Sequence, residues 1–189
     1  MSQGERDLQV KYKTERRANA FYNNQMIDYL NDEMQQFVKE QSFIFISTSD
    51  KHGNCDSSFK AGEPGFLQII DDKHLIYPEY RGNGVMASLG NIVENPHIGL
   101  LLLDFFNDQI GLHINGAAKL IDNTKMAQLH PEIIDDRAER WVLITVDEAY
   151  IHCSKHIPAL TDQKNLRDWG TDDVKKKGGD YFKVKQSKK

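Results

Sequence analysis

The sequence predicts an α+β protein: one antiparallel barrel of six or seven strands, an N-terminal amphipathic helix packed on it, and short flanking helices. Three observations carry this. Short runs rich in aromatic and β-branched residues recur between turn signals. Two later runs are long, and the first of them contains glycine, as strands that bend around a barrel do. The strands are not interleaved with helices in the alternation that builds a parallel sheet. At 189 residues the chain fits a single domain with a substantial core.

Residues 1–17 are polar and dense in charge, without an apolar period, and read as an N-terminal arm. Between Ala18 and Glu40, Met26, Ile27, Leu30, Met34, Phe37 and Val38 recur at helical spacing, which predicts one amphipathic helix. Ser42–Thr48 reads as a strand, closed by the turn signal Ser49-Asp50-Lys51-His52-Gly53-Asn54. Strands follow over Cys55–Lys60, Phe66–Ile70 and His74–Pro78, then a short helix from Val85 to Glu94 and a strand from His97 to Leu103. Gln109–Ile121 predicts a long strand bent at Gly111 and Gly116. A short polar helix starts at Asp122 or Asn123 as N-cap, and Arg140–Cys153 reads as a strand that is either buried on both faces or switches face at Asp147. These elements place the barrel domain at 18–160, followed by a polar, lysine-rich tail at 161–189.

Composition narrows the function classes. Cys55 and Cys153 are too few for a disulfide framework and suggest a reducing, cytoplasmic setting. No apolar run approaches the roughly 20 residues of a membrane helix, and the N-terminus is charged where a signal peptide is apolar, so the sequence predicts a protein that is neither inserted nor exported. Residues 175–189 carry seven lysines and one aspartate; with a net charge of −4 overall, the rest of the chain stands at −10. A body this acidic opposes a polyanion, so neither nucleic acid nor a membrane is expected as a partner, and the tail reads as a solvated end. His152, Cys153 and His156 lack a second closely spaced pair, so no metal site is expected.

The stretch from 74 to 104 carries the chemistry. A strand ending at Tyr77-Pro78 opens into a glycine-rich turn with Arg81 and Asn83, and a helix begins just beyond. Free backbone N–H groups, an arginine fork and a helix start favour negative charge, which makes this a phosphate-binding corner.

Asp56-Ser57-Ser58-Phe59-Lys60, Pro64-Gly65-Phe66, Tyr77-Pro78, Arg81-Gly82-Asn83, Gly90-Asn91-Ile92, Glu94-Asn95-Pro96, Gly99-Leu100-Leu101, His113-Ile114-Asn115-Gly116 and Tyr150-Ile151-His152-Cys153 follow one another over about residues 40–155. In order and spacing they resemble the pyridoxamine 5'-phosphate oxidase-like family of FMN-binding split β-barrel proteins. The resemblance implies a split barrel, a homodimer with FMN between the subunits, and hydride transfer between the flavin and a small organic substrate. It also implies the site residues. Lys60, Arg81 and Asn83 would hold the cofactor phosphate, and one of Ser57 and Ser58, which point to opposite faces of their strand, would bond the phosphate or the ribityl chain. Tyr77 and Pro78 would lie where strand backbone approaches the flavin ring, a role compatible with Tyr77 as a core aromatic. Ser88 and Asn91 would project toward the ribityl chain or phosphate, or else serve as caps or face solvent. His152 and Lys155 would reach the flavin from the second subunit. His113 reads as a structural strand histidine or as a proton donor to the flavin.

The family's true oxidases carry an Arg-x-Val-Leu-Leu-Lys run where this chain has Cys55–Lys60 and keeps only the lysine, and the chain lacks their C-terminal arginine pair. The resemblance therefore implies flavin chemistry without implying oxidation of pyridoxamine phosphate. Rival readings are a reductase using the deazaflavin F420, which would share the phosphate corner, and a non-enzymatic flavin- or haem-binding stress protein, with His152 as an iron ligand.

Overall fold

The computed structural model describes residues 2–161; the predicted lysine-rich tail falls outside them from residue 162. The order of elements is α1 (Gln3–Tyr12), α2 (Glu15–Gln25), β1 (Met26–Ile27), α3 (Asp32–Glu40), β2 (Phe43–Ser49), β3 (Cys55–Ala61), β4 (Gln68–Ile69), β5 (His74–Tyr80), α4 (Ala87–Glu94), β6 (His97–Leu103), β7 (Gly111–Asp122), α5 (Asn123–Leu129) and β8 (Ala138–His152), ending in a 3₁₀ turn at Ser154–His156. All strands pair antiparallel in the order β3-β2-β6-β7-β8-β5-β4, with β1 added to β8. The sheet curls without closing, giving the α+β split barrel.

Two expectations at the N-terminus are corrected. The arm is helical: Ser2 and Glu5 form a reciprocal capping box on α1. Tyr22 of α2 accepts from Gln9 Nε2 at 2.6 Å and donates to Glu5 at 3.0 Å. This helix pair is joined by polar contacts, so apolar periodicity could not reveal it. The predicted helix 18–40 is two helices. Met26 and Ile27 leave it to pair with Tyr150 and Ala149 of β8, and Asn31 restarts it by accepting the Met34 N–H at 2.9 Å. A sheet edge that needed covering outweighed helix propensity there. The strand predicted at 66–70 shrinks to Gln68–Ile69, while Phe66 and Leu67 still bury their side chains.

Ile44, Ile46, Leu75, Leu100, Ile114 and Ile144 fill the barrel interior, each at most 1 % exposed. A second, smaller core lies outside the barrel, where Met126 and Ile133 cover Ile76, Ile121 and Trp141. That is why 140–146 is apolar on both faces. One irregularity governs the far end of β8. Asn115 pairs with Glu148 but Gly116 with Val146, so Asp147 is an extra, bulged residue. Buried positions run Val142, Ile144, Val146 before the bulge and Ala149 after it, so Glu148, Tyr150 and His152 face outward. A Cβ on Gly116 would lie 2.0 Å from the Thr145 carbonyl oxygen, so the bulge requires glycine here. Among the described residues, no helix is long and apolar enough to cross a membrane.

Candidate functional site

The turn between β5 and α4 forms the predicted corner. Gly84, at φ +81°, takes a backbone conformation that L side chains rarely adopt. Asn83 accepts the Val85 N–H at 2.9 Å, fixing the turn. Met86, the residue before α4, is left-handed and no side chain caps the helix. The corner opens into a cavity of about 490 Å³ lined by the turn backbone, Arg81, Arg140, Glu79 and Glu139. Arg140, on β8, was not predicted. It pairs with Pro78's neighbour Glu79 in the ladder, and that adjacency is invisible in the sequence. Two guanidiniums and a glycine turn suit an oxyanion; two carboxylates on the same wall reduce the positive potential it would meet.

The inner row of β3, namely Asp56, Ser58 and Lys60, faces α4 and β5 across the gap in the barrel. Ser88 Oγ donates to Asp56 Oδ2 at 2.6 Å, Ser58 Oγ donates to the same oxygen at 3.3 Å, and the two hydroxyls lie 3.0 Å apart. Lys60 Nζ meets Glu79 Oε1 at 2.7 Å and Oε2 at 2.8 Å, with the two side chains 18 % and 16 % exposed. Of the side chains predicted to reach the cofactor, Ser58, Ser88 and Lys60 are therefore engaged by the chain's own carboxylates. Ser57 lies on the outer face and is exposed. Arg81, Arg140 and the turn backbone have the donor chemistry that a cofactor phosphate needs, whereas the Ser58 and Ser88 hydroxyls and the Lys60 ammonium are directed at Asp56 and Glu79.

Tyr77 points into the core, fully buried, and its hydroxyl has no hydrogen-bond partner. Burial, and then the charge of Glu79, push its phenol well above the ordinary value of 10.0. Pro78 alternates to the opposite face and is also buried. Asn91 donates to Thr48 Oγ1 at 3.0 Å, tying α4 to β2.

His113 and His152 form a separate cluster on the outward face of β7 and β8. Their Nε2 and Nδ1 lie 2.8 Å apart, one donating and the other accepting, and His113 stacks on Tyr150 at 4.7 Å. Burial, and then the neighbouring His152, hold the His113 imidazole below 6.5. Asn115 reaches Glu148 at 3.4 Å and Tyr150 at 3.5 Å. Lys155 is exposed in the 3₁₀ turn that follows. Among the described residues, no group of three or more His, Cys, Asp or Glu is arranged to hold a metal.

The structure thus gathers Arg81 and Asn83 at the cavity, Ser58, Ser88 and Lys60 beside it, and His113 with His152 elsewhere. The residues the sequence reading missed are Asp56, Glu79, Arg140 and Tyr150. Alternation along β5 places Glu79 on the face of Tyr77, and alternation along β3 places Asp56 with Lys60, so their facing was legible. Their partners, which lie across the barrel gap, were not.

The pyridoxamine 5'-phosphate oxidase family model matches residues 30–153. No curated protein matches the chain. Among solved structures, a Lactobacillus delbrueckii protein assigned as a pyridoxamine 5'-phosphate oxidase superposes with a TM-score of 0.52 at 18% identity, covering 66% of this chain and 95% of that one. HupZ of Group A Streptococcus gives 0.48 at 20% identity, covering 64% and 92%. HutZ, the heme storage protein of Vibrio cholerae, gives 0.42 at 13% identity, covering 65% and 94%. At such identities the Lactobacillus likeness speaks for the fold alone, and the other two carry no argument. With the family model spanning most of the barrel, this chain belongs to the pyridoxamine 5'-phosphate oxidase family of split β-barrel proteins.

Proposed function

We propose that the chain is an FMN-binding oxidoreductase, acting as a homodimer on a small organic substrate, with the cofactor phosphate anchored at the corner between β5 and α4. The observation that carries this reading is the juxtaposition of Arg81 and Arg140 around a cavity whose floor is a glycine turn. Bound FMN would supply two-electron chemistry, accepting or delivering a hydride. The chain's own task is placement: Arg81 and Arg140 would oppose the phosphate charge, Asn83 holds the turn, and the neutral Tyr77 phenol walls off the barrel interior.

The dimer has its own support. Phe45, Phe59 and Phe106 are 39 %, 54 % and 40 % exposed on one outer face, and Phe43 stacks between Phe59 at 5.5 Å and Phe105 at 6.1 Å. A second copy of the chain would remove this apolar surface from water. Sedimentation of wild type and Phe59→Asp checks it: a dimer that the substitution splits supports the reading, and a wild-type monomer sinks it.

The absorbance spectrum of the purified protein, followed by FMN titration, tests the cofactor. Arg81→Ala is expected to weaken binding about 10- to 100-fold, the equivalent of a charge-assisted bond of roughly 1.5 to 3 kcal/mol. Equal binding by wild type and variant would remove Arg81 as the anchor. A deazaflavin such as F420 would use the same corner and show a single band. The His113–His152 couple favours one other reading, a haem-binding protein. A Soret band lost in His152→Ala would establish it in place of the flavin.

A further inference from the structure

We infer that Glu79 is a specificity-determining residue that lowers the preference of the corner for phosphorylated over unphosphorylated flavins. The inference rests on the proposed flavin site and deepens it. Glu79 does two things at once. It holds the Lys60 ammonium at 2.7 and 2.8 Å, and it lines the cavity beside Arg81 and Arg140.

A lysine at this place would otherwise add a point charge to the two arginines, making a strongly cationic cradle for a dianionic phosphate. With both carboxylate oxygens on Nζ, that charge is cancelled where it stands, and little solvent reaches the pair to screen it. Asp56 repeats the device on the hydroxyl donors, since it already receives Ser58 and Ser88. The cavity wall offers a phosphate Arg81, Arg140 and the turn backbone, and sets Glu79 and Glu139 against it, with Arg140 Nη2 already 3.7 Å from Glu139 Oε2. The flavin ring and ribityl chain must then contribute more of the affinity than the phosphate does.

The test is a set of titrations of FMN and riboflavin against the full-length wild type, Glu79→Gln, Lys60→Gln and the double variant. Glu79→Gln keeps the shape and removes the charge. It is expected to tighten FMN about tenfold while riboflavin changes less than about twofold. Lys60→Gln leaves Glu79 uncompensated and should weaken FMN, and the double variant should return to the wild-type ratio of FMN to riboflavin affinity. An unchanged or smaller ratio in Glu79→Gln overturns the inference. Should that variant fail to fold, the step from Lys60→Gln to the double variant decides: removing the carboxylate must tighten FMN there. If the wild type binds neither flavin, the flavin reading fails by itself. Inorganic phosphate, followed by the amide shifts of Gly82 and Gly84, then judges Glu79, whose substitution must tighten phosphate or the inference falls with the reading.

Discussion

Lys60 on β3 and Glu79 on β5 meet at 2.7 Å across the gap where the curled sheet is not joined by backbone hydrogen bonds. Strands β3 and β5 stand far apart in the sheet order, so this contact closes the barrel mouth with side chains. Because the pair is largely shielded from water, removing one partner strands a charge. Lys60→Met is expected to cost about 2 to 3 kcal/mol, whereas Lys60→Met combined with Glu79→Met should recover most of it. Chemical denaturation of both variants reads the difference, and equal losses would mean the pair is incidental.

Tyr77 carries a buried hydroxyl with no partner. Tyr77→Phe removes a polar group that was stripped of water and left unbonded, so stability should hold or rise by up to about 2 kcal/mol. A clear fall in the thermal midpoint would show that the hydroxyl has a partner the fold requires.

His113 is held below 6.5 by burial and by His152. With the folded value depressed, the unfolded chain binds more protons in the window between the lowered value and 6.5. The contribution of His113 is therefore complete above pH 6.5 and is lost as pH falls through the folded value. Stability measured from pH 7.5 down to 5 should decline in wild type, with the slope reduced in His113→Gln. Parallel curves would refute the coupling.

Gly116 sits opposite the β8 bulge, where a Cβ would meet the Thr145 carbonyl oxygen at 2.0 Å. Gly116→Ala must push the two strands apart and is expected to cost about 2 kcal/mol or more. The imidazole resonances of His113 and His152 should shift together, because the bulge sets their facing. A variant with native stability and unshifted imidazoles would show that the bulge tolerates a side chain.

Much of the barrel was legible because its elements carry their signals locally. Phe43 to Thr48 is rich in aromatic and β-branched residues and ends in a turn sequence, and the 74–80 strand, its glycine turn and the following helix are each announced by residue type. The misreadings have a common cause. Helix α1 is stabilised by a capping box and by Tyr22 from another helix. The break at Met26 is imposed by the edge of β8.

The candidate site divides the same way. Residue order along the chain was enough to assign the family, the α+β class and the corner bearing Arg81 and Asn83, since backbone preference and side-chain type act over a few neighbours. Only the folded chain decided that Asp56 takes the hydroxyls of Ser58 and Ser88, that Glu79 takes Lys60, that Arg140 joins Arg81, and that His113 faces His152. Those choices depend on how far the sheet curls and where the Asp147 bulge shifts its phase. Curvature and register are sums over every strand pairing, so no local stretch of residues can state them.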